Sequence, residues 1–221
     1  MSWNKATAKS EIRKFFKKHG VSAKKAAASA SDGKVYELYC LVQTLDWLKS
    51  EYPVTVRFVG STVDFKASPG NIDRSKSYFE IAGGGHTLEL HMDIEIQTLG
   101  SALSGGTGDN SGYHEIDLVL ILRDVPDGRK PRFDQLFLGV ECKAHANFGK
   151  GIVKQVLGVR RELSLLQDAD CYLDMVFGGA TIRQMNAHPA SLYWLAFTDS
   201  KGLNYSQSPA AFEIDFKHWR P

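Results

Sequence analysis

The sharpest pattern of apolar and polar positions in this chain predicts two neighbouring β-strands. Residues 114–122 and 136–143 are mostly aliphatic, and both have the length of ordinary strands. The residues between them, 123–131, are polar and include two prolines, which favours a turn. We therefore expect the two segments to pair as a β-hairpin.

Apolar residues at helical spacing predict three helices. The longest covers residues 34–50, where the apolar positions fall on one face. A second helix begins near Gly151, and its buried stripe consists of Ile152, Val156, Val159, Leu163 and Leu166. A short amphipathic helix at residues 10–19 precedes both. Its aromatic residues, Phe15 and Phe16, are expected to pack against the protein rather than stack on bases.

Further strands are predicted by short apolar segments along the rest of the chain. They cover residues 54–59, 77–82, 87–97, 171–177 and 192–198. Three glycines at positions 83–85 are typical of a hairpin turn. The helix after residue 143 lies between two strands, which indicates a right-handed parallel crossover. The chain is therefore expected to form an α/β domain with a mixed central sheet and helices on both faces.

The composition narrows the class of protein. The chain has 221 residues, of which 43% are hydrophobic and 24% charged, as in a globular domain with a full core. No apolar run approaches the roughly 20 residues that span a bilayer, and the first residues lack the hydrophobic core of a signal sequence, so we do not expect export. The three cysteines lack metal-binding spacing and are expected to be buried thiols. These features favour a cytoplasmic protein without a membrane partner.

The charge is unevenly distributed along the chain. Residues 1–34 contain nine Lys or Arg and two acidic residues, whereas the remainder contains 18 basic and 23 acidic residues. We therefore divide the chain into a basic helical arm and linker, residues 1–32, and a domain, residues 33–221. The arm could bind DNA phosphates through Lys14, Lys17 and Lys18, bind a partner protein, or do little.

The predicted hairpin carries the candidate chemistry. Side chains alternate along a strand, so Glu141 and Lys143 share one face, with Cys142 on the other. Asp117 lies on the neighbouring strand. Burying carboxylates on apolar strands is costly unless a cation lies between them, and Mg²⁺ prefers such oxygen ligands. The alternative is that both acids face solvent or pair with Lys143.

Asp117 and the segment Glu141-Cys142-Lys143 resemble the PD-(D/E)XK nuclease superfamily, although Ile116 stands where the family pattern has proline. The resemblance implies a restriction-endonuclease-like fold in which the aspartate and glutamate bind metal and the lysine assists the attacking water. It also implies Glu37 as a further metal ligand. Gln155 matches a glutamine found in members related to Holliday-junction resolvases.

The function implied by this resemblance is Mg²⁺-dependent endonucleolytic cleavage of DNA, in which Mn²⁺ can substitute. Cutting both strands with so small a chain implies a homodimer or a higher assembly, and the family suggests a prokaryotic restriction or defence setting. One alternative is an inactive nuclease-like module that binds nucleic acid or supports assembly. Another is a protein that binds a partner through its basic arm.

Two other segments could contact the substrate. The helix after Lys143 carries four basic residues that could bind phosphate or form a solvated face, namely Lys150, Lys154, Arg160 and Arg161. Residues 99–112 contain five glycines and form a predicted loop beside the Asp117 strand. Loops of this length are usually functional or mobile.

Overall fold

The computed structural model describes residues 3–23, 30–66, 68–105, 110–144, 147–168 and 185–221. Its helices are α1 (Lys5–Lys18), α2 (Asp32–Glu51), α3 (Leu99–Leu103), α4 (Lys150–Leu163) and α5 (Gln207–Ala210). Its strands are β1 (Thr55–Val59), β2 (Tyr78–Gly83), β3 (His86–Gln97), β4 (Tyr113–Leu122), β5 (Leu136–Lys143), β6 (Leu165–Asp168), β7 (Met185–His188), β8 (Leu192–Phe197) and β9 (Ile214–His218). Short 3₁₀ turns occur at Asn110–Gly112, Phe133–Gln135 and Ser200–Tyr205.

Seven of the described strands form one mixed sheet in the order β1-β2-β3-β4-β5-β8-β9. The strands from β1 to β5 are antiparallel, and the pairs β5–β8 and β8–β9 are parallel. Strands β6 and β7 pair separately as a two-stranded ribbon. The expected α/β class with a mixed sheet flanked by helices is therefore confirmed.

Both predicted hairpins are present. Strands β2 and β3 are joined at Gly84 and Gly85, whose φ angles of 57° and 79° are unfavourable for other residues. Strands β4 and β5 pair antiparallel across the polar turn, as the aliphatic pattern predicted. This second hairpin brings the Asp117 strand beside the strand of Glu141 and Lys143.

The sheet separates two hydrophobic cores. The first core lies under α1 and α2 and includes Leu41, Leu90 and Trp194. The second lies under α4 and includes Val156 and Tyr193. Because apolar side chains leave water on both sides, the central strands are buried on both faces, which explains their nearly continuous aliphatic sequence.

Helix α1 belongs to the first core. Phe15 and Phe16 are buried, and their rings contact Phe79 at centroid distances of 5.9 and 5.8 Å. The expectation that these aromatic residues pack is confirmed. The helix is therefore not a free arm, since its removal would expose the aromatic surface beneath it. Its lysines at positions 14, 17 and 18 remain exposed.

Three details differ from the sequence prediction. Residues 99–105 of the predicted loop begin with the short helix α3, capped by Thr98, and residues 106–109 lie outside the described part. Helix α4 ends at Leu163, so Leu166 belongs to β6 rather than to the helical stripe. The parallel crossover from β5 reaches β8, because β8 is its hydrogen-bonded neighbour. The predicted strand at residues 171–177 lies outside the described residues.

No helix in the described part of the chain combines the length and the apolar character needed to cross a membrane.

Candidate metal site and lysine

Three acidic residues on adjacent strands are level with one another. The pairs Met92–Leu118 and Ile94–Ile116 on either side bring Asp93 of β3 opposite Asp117 of β4. On β5, Val140 pairs with Leu118, so the next residue, Glu141, is level with Asp117. The backbone N–H of Cys142 donates to Asp117 Oδ2 at 2.6 Å, which ties the side chain to β5.

The middle of this row coincides with an irregularity in β3. Asp93 has a φ angle of 54°, a conformation in which Asp is one of the few tolerated residues. Met92 packs in the first core and Ile94 in the second, although strict alternation would place both on one face. Leu118 and Ile116 on β4 change faces in the same way. Asp93 and Asp117 therefore lie where both strands reverse their alternation.

Helix α2 adds a further carboxylate and a cation. Its N-terminus is capped by Ser31, whose Oγ accepts from the Lys34 backbone N–H at 3.3 Å. This cap places Lys34 and Glu37 in the first two turns, over β3 and β4. One carboxylate oxygen each of Glu37, Asp93 and Asp117 lies within 4.8 Å of the others. The ammonium of Lys34 bonds to Glu37 and to both oxygens of Asp93, at 2.9 and 2.6 Å.

Glu141 and Lys143 form the other half of the site. Lys143 Nζ donates to Glu141 Oε2 at 2.9 Å, and the hydroxyl of Tyr193 donates to Glu141 Oε1 at 3.3 Å. Tyr193 can lie there because Gly139 has no side chain. A Cβ added at Gly139 would be 3.0 Å from the tyrosine ring. We call the carboxylates Glu37, Asp93, Asp117 and Glu141, together with Lys34 and Lys143, the central site.

The pKa values of three acids in the central site, Glu37, Asp93 and Glu141, are raised. Burial raises the pKa of Glu37 to about 7; Lys34 opposes this shift, and Asp117 adds to it. Burial likewise raises the pKa of Asp93 and of Glu141, each against a lysine partner. For Lys143, burial alone would lower the pKa, but Glu141 and Asp117 raise it overall. Lys143 is therefore a protonated donor, and the acids have too little positive charge around them.

The donor set fits a hard divalent cation. Glu37, Asp93 and Asp117 offer only oxygen atoms, which Mg²⁺, Mn²⁺ and Ca²⁺ prefer over nitrogen or sulfur. Two oxygens on opposite sides of such an ion are separated by about 4.2 Å for Mg²⁺ and about 4.8 Å for Ca²⁺, twice the metal–oxygen distance. Oxygens that lie within 4.8 Å of one another are therefore close enough to share such an ion.

The structure brings together most of the residues predicted for the site. Glu37 and Asp117 lie in the closest carboxylate group, while Glu141 lies next to them and is bonded to Lys143 and Tyr193. Asp93 was missed. The signal for it was the same as for Asp117, an acidic residue within an apolar strand. Because the alternation reverses at Asp93, a regular strand pattern does not predict the face on which its side chain lies.

Gln155 and most of the predicted phosphate contacts lie on exposed faces of the helices. Gln155 is exposed on α4, and Glu115 is exposed on β4. Among the predicted phosphate contacts, the exposed side chains are those of Lys14, Lys17, Lys18, Lys150, Lys154 and Arg161.

Arg160 corrects one of these predictions. Its side chain is fully buried, and its guanidinium donates to the Oγ and backbone oxygen of Ser191, both at 2.9 Å, and to the backbone oxygen of Phe212 at 3.2 Å. Arg160 follows Val156 by four residues and precedes Leu163 by three, so it lies on the buried face of α4. It joins α4 to the start of β8 and is inaccessible to a phosphate.

Comparison with known proteins adds no family to this description, because no protein-family model, no curated protein and no solved structure matches the chain.

Proposed function

We propose that the protein is a metal-dependent nuclease that hydrolyses phosphodiester bonds in DNA, with a restriction-endonuclease-like arrangement of its sheet and helices. The observation that carries this proposal is the row of Asp93, Asp117 and Glu141 across three strands, with Lys143 at one end. Carboxylates gathered so closely need a cation to offset their mutual repulsion, and oxygen-only donors suit Mg²⁺, with Mn²⁺ as a substitute.

In this proposal Glu37, Asp93 and Asp117 hold the ion, and Glu141 completes its surroundings. Bound Mg²⁺ supplies a water of lowered pKa and positive charge beside the phosphate. Lys143 can orient that water and donate to the phosphate oxygens as negative charge develops. In the metal-free protein Glu141 and Asp117 raise the pKa of Lys143, so its ammonium is a hydrogen-bond donor there. Gln155, exposed near the start of α4, is proposed to orient the water or the phosphate.

The exposed lysines of α1 and the exposed basic residues of α4 are the proposed contacts to the DNA backbone. Replacing Lys14, Lys17 and Lys18 by Gln tests this without removing α1 from the core. We expect weaker DNA binding and a smaller salt dependence, with the slope reduced by about one unit for each lysine that binds a phosphate. A homodimer, a cytoplasmic location and a restriction or defence role complete the proposal.

Cleavage of supercoiled and linear DNA in Mg²⁺, Mn²⁺, Ca²⁺ or EDTA tests the activity. Asp117→Asn should reduce cleavage by about a thousandfold, the scale of losing a group that stabilises the transition state. Asp124→Asn is the matched control, because Asp124 is an exposed aspartate two residues beyond the end of β4. Cleavage in EDTA, or equal losses in both variants, would contradict the proposal.

One observation favours a second candidate, an inactive module of the same fold that binds nucleic acid. Lys34 already supplies a positive charge to Glu37 and Asp93, so these acids have a partner without metal. This candidate predicts DNA binding that is independent of divalent ions and no cleavage in any of them. The same set of assays separates the two candidates.

A further inference from the structure

Lys34 occupies the position where a divalent cation would contact the central site. Its ammonium bonds to both oxygens of Asp93 and to Oε2 of Glu37. These are two of the three carboxylates whose oxygens are close enough to share an ion. An ammonium and a metal ion cannot both lie among the same oxygens, because like charges at such distances repel strongly.

The side chain of Lys34 can move away from the carboxylates. It is 24% exposed, whereas the carboxyl side chain of Asp93 is 4% exposed. Its ammonium is a point charge on a flexible four-carbon stem, and its bonds to the acids do not have the fixed fork geometry of a guanidinium. The backbone of Lys34 is held in the first turn of α2 by Ser31, so only the side chain needs to move.

We propose that Lys34 is an exchangeable counter-ion of the central site. It neutralises Glu37 and Asp93 in the metal-free protein, is displaced when a divalent cation binds, and then donates to a phosphate oxygen of the substrate. This inference rests on the proposed function, because it assumes that the carboxylates bind metal. The exchange makes no covalent bond, and Lys34 keeps its proton throughout.

The phosphate contact follows from the charges that remain after exchange. The displaced ammonium stays tethered at the edge of the site, within reach of an anion bound to the cation. A phosphodiester provides that anion, and a charge-assisted bond to it replaces the earlier bonds to Asp93 and Glu37. Lys34 would thus link the arrival of metal to the binding of substrate.

Lys34→Met tests the exchange, with Lys66→Met as the matched control. Lys66 also lies beside Asp93, but its ammonium donates to the backbone oxygen, at 3.3 Å, rather than to the carboxylate. Binding of Mn²⁺ alone, followed by electron paramagnetic resonance of the free ion, should tighten about tenfold in Lys34→Met, the scale of removing one charge-assisted bond that competes. It should change much less in Lys66→Met.

The second half of the proposal is tested with a short DNA duplex in Ca²⁺, by fluorescence anisotropy. Lys34→Met should bind the duplex several-fold more weakly, because methionine cannot bind a phosphate. Lys34→Arg should restore part of this affinity, since it keeps the charge. Equal DNA affinity in Lys34→Met and the wild type would overturn the phosphate contact.

The failures are distinguishable. In one outcome the wild type binds Mn²⁺, Asp117→Asn does not, and Lys34→Met binds it equally or more weakly than the wild type. This outcome overturns the exchange but supports the metal site. No Mn²⁺ binding by the wild type overturns the proposed function and the exchange together.

If Lys34→Met does not fold, Mg²⁺ titration of the wild-type protein still tests whether the cation displaces Lys34. The side-chain NMR signal of Lys34, assigned with Lys34→Arg, should shift as Mg²⁺ binds. An unshifted signal at saturating Mg²⁺ would overturn the proposal.

Discussion

Glu89 on β3 and Glu37 on α2 are both withdrawn from water, yet their pKa values move in opposite directions. Burial would raise the pKa of Glu89, but hydrogen bonds from His91 and Arg74 lower it below the usual value. Burial raises the pKa of Glu37 to about 7, and Lys34 does not compensate. The side chain of Glu89 is 0% exposed and that of Glu37 is 16% exposed, so depth alone does not explain the difference.

The charged neighbours of Glu89 and Glu37 explain why their pKa values move in opposite directions. The residues around Glu89, which we call the outer cluster, are Arg57, Arg74, Glu80, Glu89, His91 and Arg123. Two carboxylates there have three guanidinium groups within ion-pair distance. In the central site, four carboxylates have two ammonium groups bonded to them among the described residues. The outer cluster is neutralised by its own side chains, and the central site lacks positive charge.

A guanidinium also neutralises in a different way from an ammonium. Arg74 Nε donates to both oxygens of Glu89, at 3.1 and 3.0 Å, and Arg74 also bonds to the backbone oxygens of Arg123 and Val125. A planar group with several donors fixes the loop, the strand and the acid together. The comparison teaches that the outer cluster is neutralised by its own guanidinium groups, whereas the central site has more carboxylates than ammonium groups, which is the imbalance on which the proposed metal site rests.

The largest effect on stability should come from Arg74→Met. It leaves the buried carboxylate of Glu89 without the guanidinium that bonds to both of its oxygens, and breaking such a pair costs about 3–5 kcal/mol. The measurement is the free energy of unfolding in urea, with Lys76→Met as the control. Lys76 pairs with Asp64 at the surface, so its removal should leave the unfolding midpoint nearly unchanged. A small effect of Arg74→Met would show that the outer cluster is not the structural element that we infer.

Divalent cations should stabilise the folded protein by binding at the central site and not at the outer cluster. At a Mg²⁺ concentration 100 times the dissociation constant, the stability should rise by about 2.7 kcal/mol, because the ion binds only the folded state. Differential scanning calorimetry with and without Mg²⁺ measures this rise. It should disappear in Asp93→Asn and persist in Glu95→Gln, a partly exposed acid two residues along the same strand. An equal loss in both variants would argue against a specific site.

The third expectation concerns neutralising each acid in the absence of metal. Glu37→Gln should stabilise the protein at pH 8, by on the order of 2 kcal/mol, since a pKa raised to about 7 means that ionised Glu37 costs folding energy there. Glu89→Gln should instead destabilise it, because an ionised Glu89 is favoured by Arg74 and His91. The free energy of unfolding of both variants is measured in urea with EDTA present. A change of the same sign in both variants would contradict the difference between Glu37 and Glu89.

The smallest effect should be a difference in pH dependence. Glu89 has a lowered pKa, so its contribution is present above its ordinary value near 4.5 and is lost as the pH falls through its folded value. Glu37 has a raised pKa, so its contribution is present below about 4.5 and is lost as the pH rises towards about 7.

Metal-free wild-type protein should therefore gain, relative to Glu37→Gln, about 1.5 kcal/mol between pH 8 and pH 5, roughly three quarters of the difference expected at pH 8. Thermal melting of both proteins across this range measures the difference. Parallel pH curves would show that Glu37 titrates normally in the folded protein.

Much of the fold could be predicted because its signals are local. The aliphatic segments indicated β4 and β5, and the glycine triplet indicated the β2–β3 turn, since each depends on neighbouring residues. Asp117, Glu141 and Lys143 could be found for the same reason, as charged residues within apolar strands. Arg160 could not, because its role depends on Ser191 and Phe212, which are far away in sequence.

The sequence determined the α/β class, the central hairpin and four members of the central site, of which Glu37 came from the family resemblance. Only the tertiary structure decided which acids meet. Asp93 joins Asp117 because both strands reverse their alternation at that point, and a period of two cannot predict a reversal. It also decided that the basic N-terminal helix packs in the core and that Lys34 lies among the carboxylates. These contacts join segments that are distant in sequence. Their energies depend on how deeply the side chains are buried, and burial cannot be predicted from neighbouring residues alone.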